Sequence, residues 1–97
     1  NVEIGSSLPN FPKNSFQVQL AAVRNKLAAQ NEWKRLKTRQ SELLAKLESN
    51  IVRADLGAKG IYFQLRAGPL IDRGSAKKLC KELQKIKVNC LVIRPGR

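Results

Sequence analysis

The sequence predicts an α+β domain in which strand, helix, strand, strand, helix and strand follow one another. They would form a four-stranded antiparallel sheet with two main helices on one face and the opposite face open. Three observations predict it. First, Gly60–Leu70 (GIYFQLRAGPL) alternates, with Phe63, Leu65 and Ala67 on one side and Tyr62, Gln64 and Arg66 on the other. One side suits burial and the other is polar and aromatic, as in a strand covered on one face only. Second, an offset of 47 residues lays FQVQLAAV (Phe16–Val23) over FQLRAGPL (Phe63–Leu70). Third, the same offset carries Asn25, Ala29, Trp33 and Leu36 onto Asp72, Ala76, Cys80 and Leu83, which have helical spacing. A strand and the helix after it therefore occur twice.

Asn1–Asn14 holds Gly5, Ser6, Ser7, Pro9 and Pro12 without periodicity and reads as a flexible linker or tail, so the domain is placed at residues 15–94. The first strand, Ser15–Ala22, buries Phe16, Val18 and Leu20 and turns Gln17, Gln19 and Ala21 outward. Asn25 caps a helix over Lys26–Arg39 whose stripe is Ala29, Trp33 and Leu36, with Trp33 read as core. Gln40–Glu48 has no counterpart in the second half; SELLAKL is expected to extend that helix or form a short one, packing Leu43, Leu44 and Leu47. Asn50–Leu56 is a weaker strand, read with Val52 and Ala54 inward and Arg53 outward, and Gly57–Gly60 is a turn.

Gly68-Pro69 is expected to end the central strand, because proline cannot donate to a ladder. Asp72 caps a helix over Arg73–Lys85 with the stripe Ala76, Leu79, Cys80, Leu83 and Ile86. The last strand, Val88–Ile93, points Val88, Cys90 and Val92 inward and Asn89, Leu91 and Ile93 outward, and residues 95–97 form a C-terminal tail. Two right-handed split units of this kind give the ferredoxin-like, or RNP-like, arrangement with the two repeat strands side by side in the middle.

Ninety-seven residues allow one domain with a modest core. The chain has no methionine, so it is expected to be part of a longer protein, and it has no apolar run long enough to cross a membrane. The formal net charge of +12 suits polyanionic partners, yet 13 of the 19 Lys and Arg fall in the two helical stretches, where they read as solvated helix surface. There is no histidine, and two cysteines alone make no four-ligand zinc site, so no metal or cofactor is expected. Cys80 lies on the sheet-facing side of its helix and Cys90 points from the sheet toward it. They are a candidate disulfide, which implies an oxidising compartment such as a bacterial periplasm, or two buried thiols.

Catalysis has little support. The seven acids (Glu3, Glu32, Glu42, Glu48, Asp55, Asp72 and Glu82) are scattered, no strand face presents two carboxylates, and the glycines form no phosphate-cradling loop. A non-catalytic binding module is expected, working through the open sheet face. An RNA- or polyanion-binding role is one alternative, because KGIYFQLR (Lys59–Arg66) touches the RNP1 pattern at Lys59, Gly60 and Phe63. Base stacking needs Phe63 outward, and that phase would bury Gln64 and Arg66 and expose Leu65, so nucleic acid is not the expected partner. A protein–protein role for the sheet or the basic helices is the other alternative.

The ordered set VQLAA (Val18–Ala22), the Ala29/Trp33/Leu36 helix, RADLGAKGIYFQLRAGPL (Arg53–Leu70) and AKKLC…VNCLVI (Ala76–Ile93) resembles a SPOR domain over about residues 15–94, in the form common in alphaproteobacterial members. The resemblance implies a monomeric, periplasmic peptidoglycan-binding module, typically carried by a membrane-anchored parent. It implies binding, across the open sheet face, of glycan strands denuded of stem peptides, which brings the parent protein to the division septum. Onto this chain the family's binding positions map as Gln19, Tyr62 and Gln64, with Leu91 on the last strand. The residues point the same way. The amides of Gln17, Gln19 and Gln64 both donate and accept, Tyr62 can lie against a sugar ring, and Arg66 or Arg53 can pair a muramyl carboxylate. Two departures from the family pattern stand out. Ala21-Ala22-Val23 stands where Gly-Ser/Ala-Phe is frequent, and Gln64 and Tyr62 replace a frequent Arg and Trp.

Overall fold

The computed structural model describes residues 11, 12 and 14–96. Most of the expected N-terminal tail therefore lies outside the described residues. Strands β1 (Phe16–Val23), β2 (Glu48–Asp55), β3 (Ile61–Leu70) and β4 (Leu91–Ile93) form one sheet in the order β2-β3-β1-β4, with every neighbouring pair antiparallel. Helix α1 (Lys26–Arg39), a separate short helix α2 (Ser41–Leu44) and helix α3 (Arg73–Lys85) complete the fold, and a 3₁₀ turn over Gly57–Lys59 joins β2 to β3. This is the expected α+β, ferredoxin-like arrangement.

The core lies between the helices and one face of the sheet. Val18, Leu20, Leu65 and Ala67 from the central strands meet Ala29 and Leu36 of α1 and Ala76, Leu79, Cys80 and Leu83 of α3, all buried. Leu44 of α2 and Leu47 close one side, and Leu43 and Trp33 pack partly buried against the same cluster. Lys37 Nζ lies 5.6 Å from the Trp33 ring centroid, so the ring is both a core wall and a seat for a cation. Ile86 is 43% exposed rather than continuing the α3 stripe, because the helix stops at Lys85 and the chain turns through Lys87 at φ 68°.

Both long helices begin where a side chain satisfies an otherwise orphaned backbone N–H. Asn25 Oδ1 accepts from Ala28 N at 2.8 Å, and Asp72 Oδ1 accepts from Ser75 N at 2.8 Å. That bond favours the Asp72 carboxylate and lowers its pKa below the ordinary value. A depressed carboxylate contributes stability above its unfolded pKa and loses it as pH falls through the folded one. Asp72→Ala is therefore expected to lower the melting temperature at neutral pH, and wild type and variant should converge as the pH drops into the acid range. Asp72→Asn, which retains the acceptor at every pH, should melt close to wild type at neutral pH and above it in the acid range. Thermal scans across pH check both.

The last strand is Leu91–Ile93 rather than the expected Val88–Ile93, and three further expectations about the strands are corrected. Strand β2 has the opposite phase. Ile51 pairs with Leu65 and packs against the core, whereas Asn50, Val52 and Ala54 pair with Arg66, Gln64 and Tyr62 on the open face. Arg53 pairs with Phe63 and so belongs to the helix side, where it remains exposed at the sheet's edge. Two adjacent apolar residues, Ile51 and Val52, leave the phase ambiguous until the partner strand chooses.

In β1 the register shifts between Gln19 and Ala21, so that one extra residue is accommodated opposite β3. Ala21 and Val23, paired with Leu65 and Phe63, pack toward the core, and Ala22, paired with Gln64, faces out. Strand β3 does not end at Gly68-Pro69. It runs to Leu70, paired with Phe16, and the register shift between Phe16 and Val18 puts Pro69 where the ladder is irregular and no amide donor is required.

Candidate functional site

With these phases the open face presents four rows of side chains. Leu91, Gln19, Arg66 and Asn50 run across all four strands. Ile93 and Gln17 lie toward one end of the sheet, and Ala22, Gln64 and Val52 lie beyond the first row, followed by Tyr62 and Ala54. Of the sequence-predicted site residues, Gln17, Gln19, Tyr62, Gln64, Arg66 and Leu91 thus share one surface, and Arg53 does not. Leu91 is 60% exposed, an apolar side chain offered to solvent beside Gln19.

Arg66 organises the centre. It faces the open side but is only 8% exposed, so it lies beneath the amides rather than projecting past them. Arg66 Nε donates to Gln19 Oε1 at 3.3 Å and Arg66 Nη2 donates to Gln64 Oε1 at 3.0 Å. Burial pushes the guanidinium pKa below its ordinary value, yet arginine stays charged at neutral pH. With both oxygens turned to the guanidinium, the two glutamines carry their NH₂ groups on the other end of each amide. Asn50 Nδ2 likewise donates to Gln17 Oε1 at 2.9 Å. The face is a pre-oriented set of amide donors.

Gln19 and Arg66 are also 47 positions apart, the repeat offset, and stand directly opposite one another in the register. The pseudo-twofold relating the two halves therefore passes by this pair. The two copies of the repeat pair along β1 and β3, and Gln19 and Arg66 are the equivalent positions that face each other across that ladder.

At the far end, Tyr62 is joined by Arg24, whose guanidinium carbon lies 4.7 Å from the ring centroid and whose Nη1 donates to the phenol oxygen at 3.4 Å. Gly60 lies against this pair at φ 99°, a backbone conformation that favours glycine, and a Cβ built there would stand 3.0 Å from Arg24 Nη2. Arg24 and Asn50 escape sequence reading. Arg24 reads as one of the helical cations, and only the β1 irregularity carries it to the face; Asn50 is hidden by the ambiguous phase of β2. Beside Gln19 and Leu91 the face opens into a cleft of about 560 Å³ between β1 and the 87–90 segment, lined also by Ala22, Gln84, Lys87 and Asn89. The cleft exists because β4 begins only at Leu91, leaving Ala21–Val23 without a partner strand on that side.

Cys80 and Cys90 form a disulfide with Cα atoms 5.1 Å apart, so of the two expectations for this pair the bonded one holds. It ties α3 to the residue before β4 and so holds Leu91 and the cleft wall against the body of the domain. Phe63 packs toward the core opposite Val23, away from the open face. No helix among the described residues is long and apolar enough to cross a membrane.

These features define a class: an open-faced α+β binding domain with an amide-lined sheet surface. A family model, the SPOR domain, matches residues 12–94, nearly the whole chain, and the chain belongs to that family. SPOR domains are non-catalytic peptidoglycan-binding modules of bacterial envelope proteins that act on the cell wall in division. Comparison with curated proteins and with solved structures gives no match.

Proposed function

We propose that this domain recognises peptidoglycan glycan strands denuded of stem peptides, that it does so across the open sheet face, and that it thereby targets a membrane-anchored parent protein to the division septum from the periplasm. It acts as a monomer. The observation that carries the reading is the Gln19–Arg66–Gln64 cluster, in which a buried guanidinium holds two amide oxygens and leaves the amide nitrogens for a ligand rich in acceptors. A glycan without peptides offers ether and hydroxyl oxygens, acetamide carbonyls and lactyl carboxylates. The amides of Gln17, Gln19 and Gln64 suit the neutral groups, Arg24 suits the carboxylate, and Tyr62 and Leu91 suit the C–H faces of the rings. The apolar position of Phe63 argues against an RRM-like use of the same sheet, because the residue that would stack on a base is turned to the core.

Co-sedimentation with purified sacculi tests the proposal. Binding should rise when amidase strips the stem peptides and should survive high salt. Binding indifferent to amidase and abolished by salt would mean that charge alone is at work. Gln19→Ala and Tyr62→Ala should each weaken binding by roughly tenfold while the domain stays folded with a melting temperature lowered by no more than a few degrees, which is the effect of removing one hydrogen bond or one ring from the glycan's path. Wild-type binding by both variants would move the site off the sheet.

A further inference from the structure

We propose that Phe11 forms an additional aromatic subsite for a pyranose ring at the Gly68 end of the sheet face, an inference that rests on the glycan reading of that face. Phe11 precedes β1 and lies in a stretch whose composition reads as a tail, yet its ring is seated on the sheet. A Cβ on Gly68 would come within 3.3 Å of Phe11 Cε2 and 3.1 Å of Gln17 Cγ. Gly68 sits opposite Glu48, two residues beyond Arg66 on the same side of β3, so this is the open side. Gly68 is itself buried although it carries no side chain and lies on the uncovered face. The Phe16 carbonyl oxygen, at 3.1 Å from such a Cβ, Gln17 and Phe11 are what lie against it.

The position is built by the turn that follows. Ser15 N and Ser15 Oγ both donate to the Pro12 carbonyl, at 3.1 and 2.6 Å, which bends the chain back before β1 and directs residue 11 over the strands. Phe11 is only half-buried, so part of the ring still meets solvent. The other aromatic of the face, Tyr62, lies six residues along β3 from Gly68, roughly 20 Å at the usual rise per residue. Between them run Gln17, Gln19, Gln64 and Arg66. An aromatic at each end of an amide strip fits an extended oligosaccharide, whose rings expose C–H faces and whose substituents expose acceptors. Phe11 would thus set the length of glycan the domain prefers.

The test uses the full chain with a short glycan oligosaccharide and with long amidase-treated strands, comparing wild type, Phe11→Leu and Phe11→Trp, with melting temperatures in parallel. Leucine keeps an apolar side chain on Gly68 but removes the ring; tryptophan keeps a ring. Wild type and Phe11→Trp should bind long strands more tightly than short ones. Phe11→Leu should bind long strands roughly tenfold more weakly, bind the short oligosaccharide as wild type does, and melt unchanged. Phe11→Leu that binds long strands like wild type, binds them more tightly, weakens equally on both lengths, or melts lower would overturn the assignment. Gln19→Ala in the same series separates the failures. If it too binds normally, the glycan reading of the face falls; if it is defective while Phe11→Leu is silent, only the Phe11 subsite falls.

Discussion

Arg66→Met should reduce glycan binding by about 30- to 100-fold while leaving the fold nearly as stable as wild type. The guanidinium touches both Gln19 and Gln64, so its removal frees two amides to rotate and rehydrate, at about 1–1.5 kcal/mol of binding for each misplaced donor. Stability responds differently. A side chain that is 8% exposed has already shed most of its hydration, and methionine occupies much of the same space without that desolvation cost. The partly buried glutamine oxygens it abandons lie on the open face, where water can reach them. The melting temperature should therefore shift by only a few degrees, on the order of 1 kcal/mol or less. Arg66→Lys separates positioning from charge. A single ammonium lacks the planar fork that reaches two oxygens in fixed directions, so lysine should rescue binding only in part. Full rescue by lysine would mean that the face needs a positive charge and not an oriented pair of amides. A titration of amidase-treated sacculi, with thermal melts of each variant, decides it.

Reducing the Cys80–Cys90 disulfide, or replacing both cysteines with alanine, should give the largest drop in stability. The bond spans a sequence separation of 10, for which loop-closure entropy alone gives about 2.5 kcal/mol. In a domain of this size that corresponds to a fall in melting temperature of about 10–20 °C. The effect should reach the binding face as well. Strand β4 is three residues long and is held by its pairing with Gln17–Gln19 and by the tether at Cys90. Releasing the tether loosens Leu91 and the cleft wall beside Gln19, so glycan affinity should drop even at temperatures where the domain stays folded. Melting with and without reductant, followed by co-sedimentation of the reduced protein at low temperature, checks both parts. An unchanged affinity would show that β4 pairing alone positions Leu91.

Much of the fold is legible because its signals are local. The alternation in Phe63–Ala67 and in Phe16–Leu20 is unambiguous, since a polar residue separates each apolar one from the next. The helix bounds follow from Asn25 and Asp72, whose capping bonds involve residues three positions away. The doubling of a strand-helix unit constrains the order of strands before any pairing is known. For these reasons Gln17, Gln19, Tyr62, Gln64, Arg66 and Leu91 reach one surface in the structure, as their alternation requires.

What is hidden depends on partners that no local pattern names. Ile51 and Val52 are equally apolar neighbours, and only the pairing of Ile51 with Leu65 sends Arg53 to the helix side and Asn50 to the open face. The irregularity in β1 has no compositional mark, yet it reverses the phase from Ala21 onward and brings Arg24 to Tyr62. Arg66 reads as an outward cation, but the amides of Gln19 and Gln64 cover it, so its role changes from touching the ligand to orienting the groups that do. Phe11 stands in a proline-containing stretch without periodicity and gains its place from Gly68, fifty-seven positions on. Which segments become strands and helices, and which polar residues can share a face, is written in the chain itself, because these follow from periods of 2 and 3.6. Register, irregularities and mutual burial arise only on folding, because each of them is set by the segment lying opposite.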